Sequence, residues 1–195
     1  MMDLSKYNFS ALIFDCDGTL VHSAPLHFIA MGQALREQGH DISRKWYFDR
    51  VGFSREDLFQ DYQQLYSVSI DVPAACKKSQ DVYREIASQV KPVKEVVAVA
   101  RHYFGKLPMA VASGGEAEFV QASLKAAKVD GLFPHVVTLS DVNIGKPAPD
   151  IFLEAARRLH IPTSECLVFE DSKEGLEAAG NAGMQAIDVR PFIAP

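Results

Sequence analysis

Ser10-Ala11-Leu12-Ile13-Phe14-Asp15-Cys16-Asp17-Gly18-Thr19 decides how this chain is read. Residues 10–14 form a short apolar run that stops at Asp15-Cys16-Asp17-Gly18. The run is too short for a helix and is bounded by turn residues, which predicts a buried strand. Two carboxylates two residues apart point the same way on an ideal strand. At a strand end, where the backbone begins to turn, they can take separate roles. One can attack phosphorus, since a carboxylate is an acceptor in covalent phosphoryl transfer. The other can act as general acid and then as general base. Gly18 allows a sharp turn and a close approach by a ligand. Cys16 alternates away from both aspartates and reads as a small core residue.

The same pattern recurs downstream. An apolar run at 108–112 ends at Ser113-Gly114-Gly115, one at 135–139 ends at Ser140-Asp141, and one at 166–169 ends at Glu170-Asp171. A last run, 185–189, closes the series. Segments 93–104, 116–127, 151–159 and 175–182 carry apolar residues at helical spacing. Alternating buried strands and helices predict an α/β fold with a doubly wound, mostly parallel sheet. Function in such sheets sits at the carboxyl ends of the strands. One crevice would therefore gather Asp15, Asp17, Ser113, Lys146, Glu170 and Asp171.

One stretch breaks the alternation. Residues 21–90 hold amphipathic helical patterns at 26–38, 54–66 and 73–89 but no convincing strand. This predicts an all-helical cap (21–90) inserted into a core made of residues 1–20 and 91–195. Gly39 would end the first cap helix and Pro92 would break the chain at the second junction.

Composition bounds the function. The net charge of -5 argues against nucleic-acid binding, which wants a basic face. Three cysteines, Cys16, Cys76 and Cys166, show no metal-ligand spacing and fit a reducing compartment. Residues 1–10 lack a signal-peptide pattern, and no apolar run is long enough for a membrane span. The expectation is a cytoplasmic protein without nucleic-acid or membrane partners, and its small size and acidity are compatible with a monomer. Several carboxylates at one sheet edge need a cation. Magnesium fits, because it takes one or two carboxylates, keeps waters and bridges to phosphate oxygen. Lys146 supplies a further point charge, with Pro147 and Pro149 stiffening its loop. Ser113 offers a hydroxyl, and Gly114 and Gly115 would leave backbone N–H groups free to cradle phosphate.

Asp15-Cys16-Asp17-Gly18-Thr19 resembles the first motif of the haloacid dehalogenase (HAD) superfamily. Val111-Ala112-Ser113-Gly114 resembles the second, Gly145-Lys146-Pro147-Ala148-Pro149-Asp150 the third, and Phe169-Glu170-Asp171-Ser172 the fourth. The four occur in order between residues 11 and 175, nearly the whole chain. The resemblance implies a Rossmann-like core with Asp15 as nucleophile, Asp17 as acid and base, and Ser113 and Lys146 as phosphate-binding catalytic residues. It also implies magnesium bound by the Asp15 and Asp171 side chains and the Asp17 carbonyl. Glu170 would ligate directly or through water.

Within the cap, the stretch from Val21 to His27 and the stretch Gly52-Phe53-Ser54-Arg55-Glu56-Asp57 resemble β-phosphoglucomutase-like members. This implies that Ser23, His27 and Arg55 contact substrate together with Ser113, Gly114 and Lys146. Lys77 or Lys78 would add a second cation from the cap. The implied activity is a magnesium-dependent phosphatase of small sugar phosphates with an aspartyl-phosphate intermediate; the alternative is a β-phosphoglucomutase. Two hints favour the phosphatase. The chain stops at residues 193–195, where mutases run on, and its tail resembles short fructose-1-phosphatase-like members. Asp17 counts against a dehalogenase. A non-catalytic binding protein on the same fold would have lost one of Asp15, Asp17, Lys146 or Asp171.

Overall fold

The computed structural model describes residues 2–193. Met1, Ala194 and Pro195, on which the readings of the chain's start and end partly rest, lie outside the described residues. The chain divides into two compact units, one formed up to His22 and from Val90 onward, the other spanning Ser23–Gln89.

In chain order the first unit contains β1 (Ala11–Phe14) and β2 (Val21–His22), then β3 (Lys91–Pro92) after the second unit. The second unit consists of α1 (Ala24–Glu37), α2 (Arg44–Phe48), α3 (Arg55–Tyr66) and α4 (Val72–Ile86). The first then continues with α5 (Lys94–Tyr103), β4 (Met109–Ala112), α6 (Ala117–Ala126), β5 (His135–Val137), α7 (Asp150–Leu159), β6 (Cys166–Glu170), α8 (Lys173–Asn181) and β7 (Gln185–Asp188).

Five strands form a parallel sheet in the order β5-β4-β1-β6-β7. β1 is buried at every position and lies at the centre. Its Ile13 stands between Ala110 of β4 and Val168 of β6. On that face the strands present mostly small residues, Ala11, Ala110, Ala112 and Cys166, and α7 and α8 pack there through Phe152, Ala155, Ala178 and Ala179. The opposite face is equally buried. It carries Leu12, Phe14, Leu167 and Phe169, with the Phe14 and Phe169 rings stacked 4.8 Å apart. Burial on both faces is why these strands read as unbroken apolar runs.

The helical unit has its own core, built on Met31, Leu35, Trp46, Phe59, Tyr62 and Ala75. The side chains of Ser43, Ser54 and Asp71 accept backbone N–H groups at the starts of α2, α3 and α4. Gly39 follows the end of α1 with φ of +80°. Two local expectations change. Residues 21–22 are a strand, paired antiparallel with residues 91–92. The apolar run at 135–139 leaves the sheet after Val137, because Thr138 begins a tight turn capped reciprocally with Asp141.

Candidate active site

Because β1, β4 and β6 are parallel neighbours, their carboxyl ends share one edge of the sheet. Asp15, Ser113 and the Glu170-Asp171 pair stand at those three ends. The Asp15 N–H donates to the Phe169 carbonyl (3.0 Å) and the Ser113 N–H to the Val137 carbonyl (2.9 Å), so the ladder extends to the site itself. The chain then turns tightly: Leu20 and Val21 N–H groups both donate to the Cys16 carbonyl, and the Gly18 N–H to that of Val21.

Lys146 enters from the loop before α7. Its Nζ lies 2.7 Å from Asp15 Oδ1, 2.7 Å from Glu170 Oε2, and 5.1 Å from the centre of the buried Phe152 ring. Glu170 is buried and held on both oxygens. Its Oε1 accepts the Asp171 N–H (3.1 Å), the Ser172 N–H (3.0 Å) and the Ser172 hydroxyl (2.8 Å). Gly175 permits this packing, since a Cβ there would stand 2.1 Å from the Glu170 carboxyl carbon. Asp171 is held similarly. Its Oδ1 accepts the Thr19 hydroxyl at 3.2 Å, and a Cβ on Gly18 (φ +90°) would fall 2.1 Å from its Oδ2.

Asp15, Glu170 and Asp171 each offer a carboxylate oxygen within 4.8 Å of the other two. Among the described residues, Lys146 is the cation bonded to Asp15 and Glu170, and Arg190 acts on Asp171 and Glu170 only electrostatically, which leaves the three carboxylates short of positive charge. Burial, reinforced by the Glu170 charge, pushes the Asp15 carboxyl well above the usual carboxylate range despite Lys146. Burial and then Glu170 push Asp171 to about 7. For Lys146 burial works to remove the proton, but Asp15 and Glu170 outweigh it and raise its pKa. Asp15 Oδ2 is buried without a hydrogen-bond partner. An all-oxygen donor set around an orphaned carboxylate oxygen is the chemistry a hard divalent cation requires. The residues present therefore fit a hard divalent cation.

Asp17 and Ser113 converge on Gly115: a Cβ built there would lie 3.3 Å from both Asp17 Oδ2 and Ser113 Oγ. The expectation of a free Gly115 N–H is corrected, because that group donates to Ser113 Oγ at 3.1 Å. Gly114 beside it is exposed. Cys16 is fully buried, and burial pushes its thiol well above the usual range, as for a small core residue.

Ser23, His27 and Arg55 lie in the helical unit. Ser23 is buried ahead of α1, and the His27 ring stacks on Tyr83 with centres 4.0 Å apart. Arg55 is the first, half-buried residue of α3. Lys77 pairs with Asp81 and Lys78 with Glu37, inside the same unit. Sequence reasoning gave no role to Thr19, Phe152 or Gly175. The contacts of Thr19 and Gly175 depend on side chains that only the fold brings near, although a glycine three residues after Ser172, within a helix, could have prompted the question.

Residues 9–183 match the family model for haloacid dehalogenase-like hydrolases, and the chain belongs to this family of enzymes. A fructose-1-phosphate phosphatase of Escherichia coli is 32% identical over 93% of this chain and 97% of its own length. A relative in Drosophila melanogaster that carries the name probable pseudouridine-5′-phosphatase is 31% identical over 91% of this chain and 80% of its own. The crystal structure of CbbY from Rhodobacter sphaeroides in complex with phosphate superposes with a TM-score of 0.80 at 20% identity. It covers 91% of this chain and 84% of that one, a likeness of fold. Among the described residues, no helix is long and apolar enough to cross a membrane.

Proposed function

We propose that this chain is a magnesium-dependent phosphatase of small sugar phosphates, working in the cytoplasm through an aspartyl-phosphate on Asp15. The observation that carries the reading is the Asp15 carboxylate. One oxygen sits on Lys146 while the other is buried without a partner beside Asp171 and Glu170. The similarity to a fructose-1-phosphate phosphatase over nearly the whole chain supports the substrate class.

Asp15 and Asp171 side chains, with the Asp17 carbonyl, would hold magnesium. Glu170 would act through Lys146 or through water, because its oxygens already accept four donors. When bound, the ion neutralises the carboxylates and the charge on the phosphoryl oxygens. An Asp15 oxygen attacks phosphorus as the ester P–O bond breaks, and the Asp17 carboxyl gives its proton to the departing sugar oxygen. Lys146 faces the negative charge on the phosphoryl group, with Ser113 and Gly114 binding its oxygens. In the second half, Asp17 takes a proton from water as that water attacks phosphorus and the Asp15–phosphorus bond breaks. The resemblance to β-phosphoglucomutase-like members is what supports Ser23, His27 and Arg55 as further substrate contacts.

Incubation with magnesium and a panel of sugar phosphates should release inorganic phosphate. Asp15→Asn should abolish release while the far-UV circular dichroism stays unchanged. Wild-type turnover in Asp15→Asn, undiminished turnover in EDTA, or isomerised sugar phosphate without free phosphate would each overturn the reading.

A further inference from the structure

Thr19 is fully buried, yet its side chain is polar and ends at a carboxylate 152 residues away. Its place is set by the turn after β1, where the Cys16 carbonyl accepts two N–H groups and the Val93 N–H donates to the Leu20 carbonyl at 2.9 Å. From this fixed point the hydroxyl donates to Asp171 Oδ1. The neighbouring Gly18 leaves Oδ2 the space that a Cβ would take, since a Cβ there would fall 2.1 Å from it. The Asp171 carboxylate is thus confined at both oxygens by two consecutive residues of the first motif. A carboxylate that can swivel must lose rotamer freedom when it takes a metal, whereas one already confined does not.

We propose that Thr19 is a positioning residue for Asp171: its hydroxyl, working with the Gly18 backbone, holds the carboxylate in the orientation that receives the cation. The inference rests on the magnesium reading above. It assigns Thr19 a part in metal affinity, not in proton transfer or attack on phosphorus.

The test is calorimetric titration of the metal-free protein with magnesium chloride alone, for wild type, Thr19→Val and Thr19→Ser. Valine keeps the shape and removes the donor; serine keeps the donor and removes a methyl group. Thr19→Val should bind magnesium about 10- to 100-fold more weakly, the usual cost of losing a partner behind a metal ligand. Thr19→Ser should stay within about threefold of wild type. Equal affinity in wild type and Thr19→Val overturns the role of Thr19 and leaves the metal reading standing. Equal weakening in both variants also overturns it, because packing rather than the hydroxyl would then be responsible. Wild type that binds no magnesium overturns both readings. If Thr19→Val does not fold, Thr19→Ala against Thr19→Ser makes the same comparison.

Discussion

Gly175 occupies a position where a helix would ordinarily favour alanine. Alanine is excluded because the Glu170 carboxyl fills the space its Cβ would need, at 2.1 Å. Gly175→Ala must displace Glu170, and with it the second partner of Lys146. We expect a loss of about 1–3 kcal/mol of stability, the usual range for an overpacked interior, together with at least a tenfold fall in phosphate release. Urea unfolding and the phosphate assay check the two separately. Lys146 invites the complementary experiment. Lys146→Met leaves buried Asp15 and Glu170 without their shared cation, a loss on the order of 3–5 kcal/mol. Magnesium should restore part of it, and an unfolding midpoint unaffected by the substitution would contradict the pairing. At this scale the sequence was legible in what it would bring together: Asp15, Lys146 and Asp171 fall in one cluster, as their motifs led one to expect. It was silent on Thr19 and Gly175, whose contacts are set by what stands opposite them.

The strands were legible because parallel, doubly covered strands are apolar runs punctuated by turn residues, and β1, β4 and β6 each end in the polar cluster expected of them. The longer helices were legible from their period. α2 was not, because five residues are too few to display one; it stands on the Ser43 cap and on burial of Trp46 and Tyr47. β2 and β3 are two residues each and carry no alternation to detect. α7 offers a test of what its ion pairs contribute. Hydrogen bonds from Arg157 and then Arg158 hold the Glu154 carboxyl down at about 2, against an ordinary 4.5. A depressed folded-state pKa means that this stabilisation is complete above about pH 4.5 and is lost as pH falls toward 2. Its partner Arg157 is largely exposed to solvent, so the increment should be under about 1 kcal/mol. Urea midpoints across that window should fall more steeply for wild type than for Glu154→Gln; parallel curves would remove Glu154 from the account.

Taken whole, the molecule concentrates unbalanced negative charge at the carboxyl edge of its sheet, so the native state should be stabilised by the ion it is read to bind. At a magnesium concentration 100 times the dissociation constant, binding to the native state alone adds about 2.7 kcal/mol. For a chain of this size that corresponds to a rise in melting temperature of roughly 5–10 °C. EDTA should reverse the shift, and Asp171→Asn should blunt it. A melting curve indifferent to magnesium would argue against a native-state site. The helical insertion was legible at this scale because a long stretch without a strand interrupts an otherwise regular alternation.

The short ribbon of β2 and β3 has a further consequence. Val21 faces Pro92 and His22 faces Lys91, so the chain leaves and re-enters the sheet-bearing unit at points about 4.8 Å apart, one strand spacing. Closing a loop across so narrow a gap costs conformational entropy that grows only with the logarithm of its length. What is spliced in there can lengthen, shrink or be exchanged with little penalty to the host. Selection can therefore vary the guest segment while the sheet that carries Asp15, Glu170 and Asp171 stays as it is.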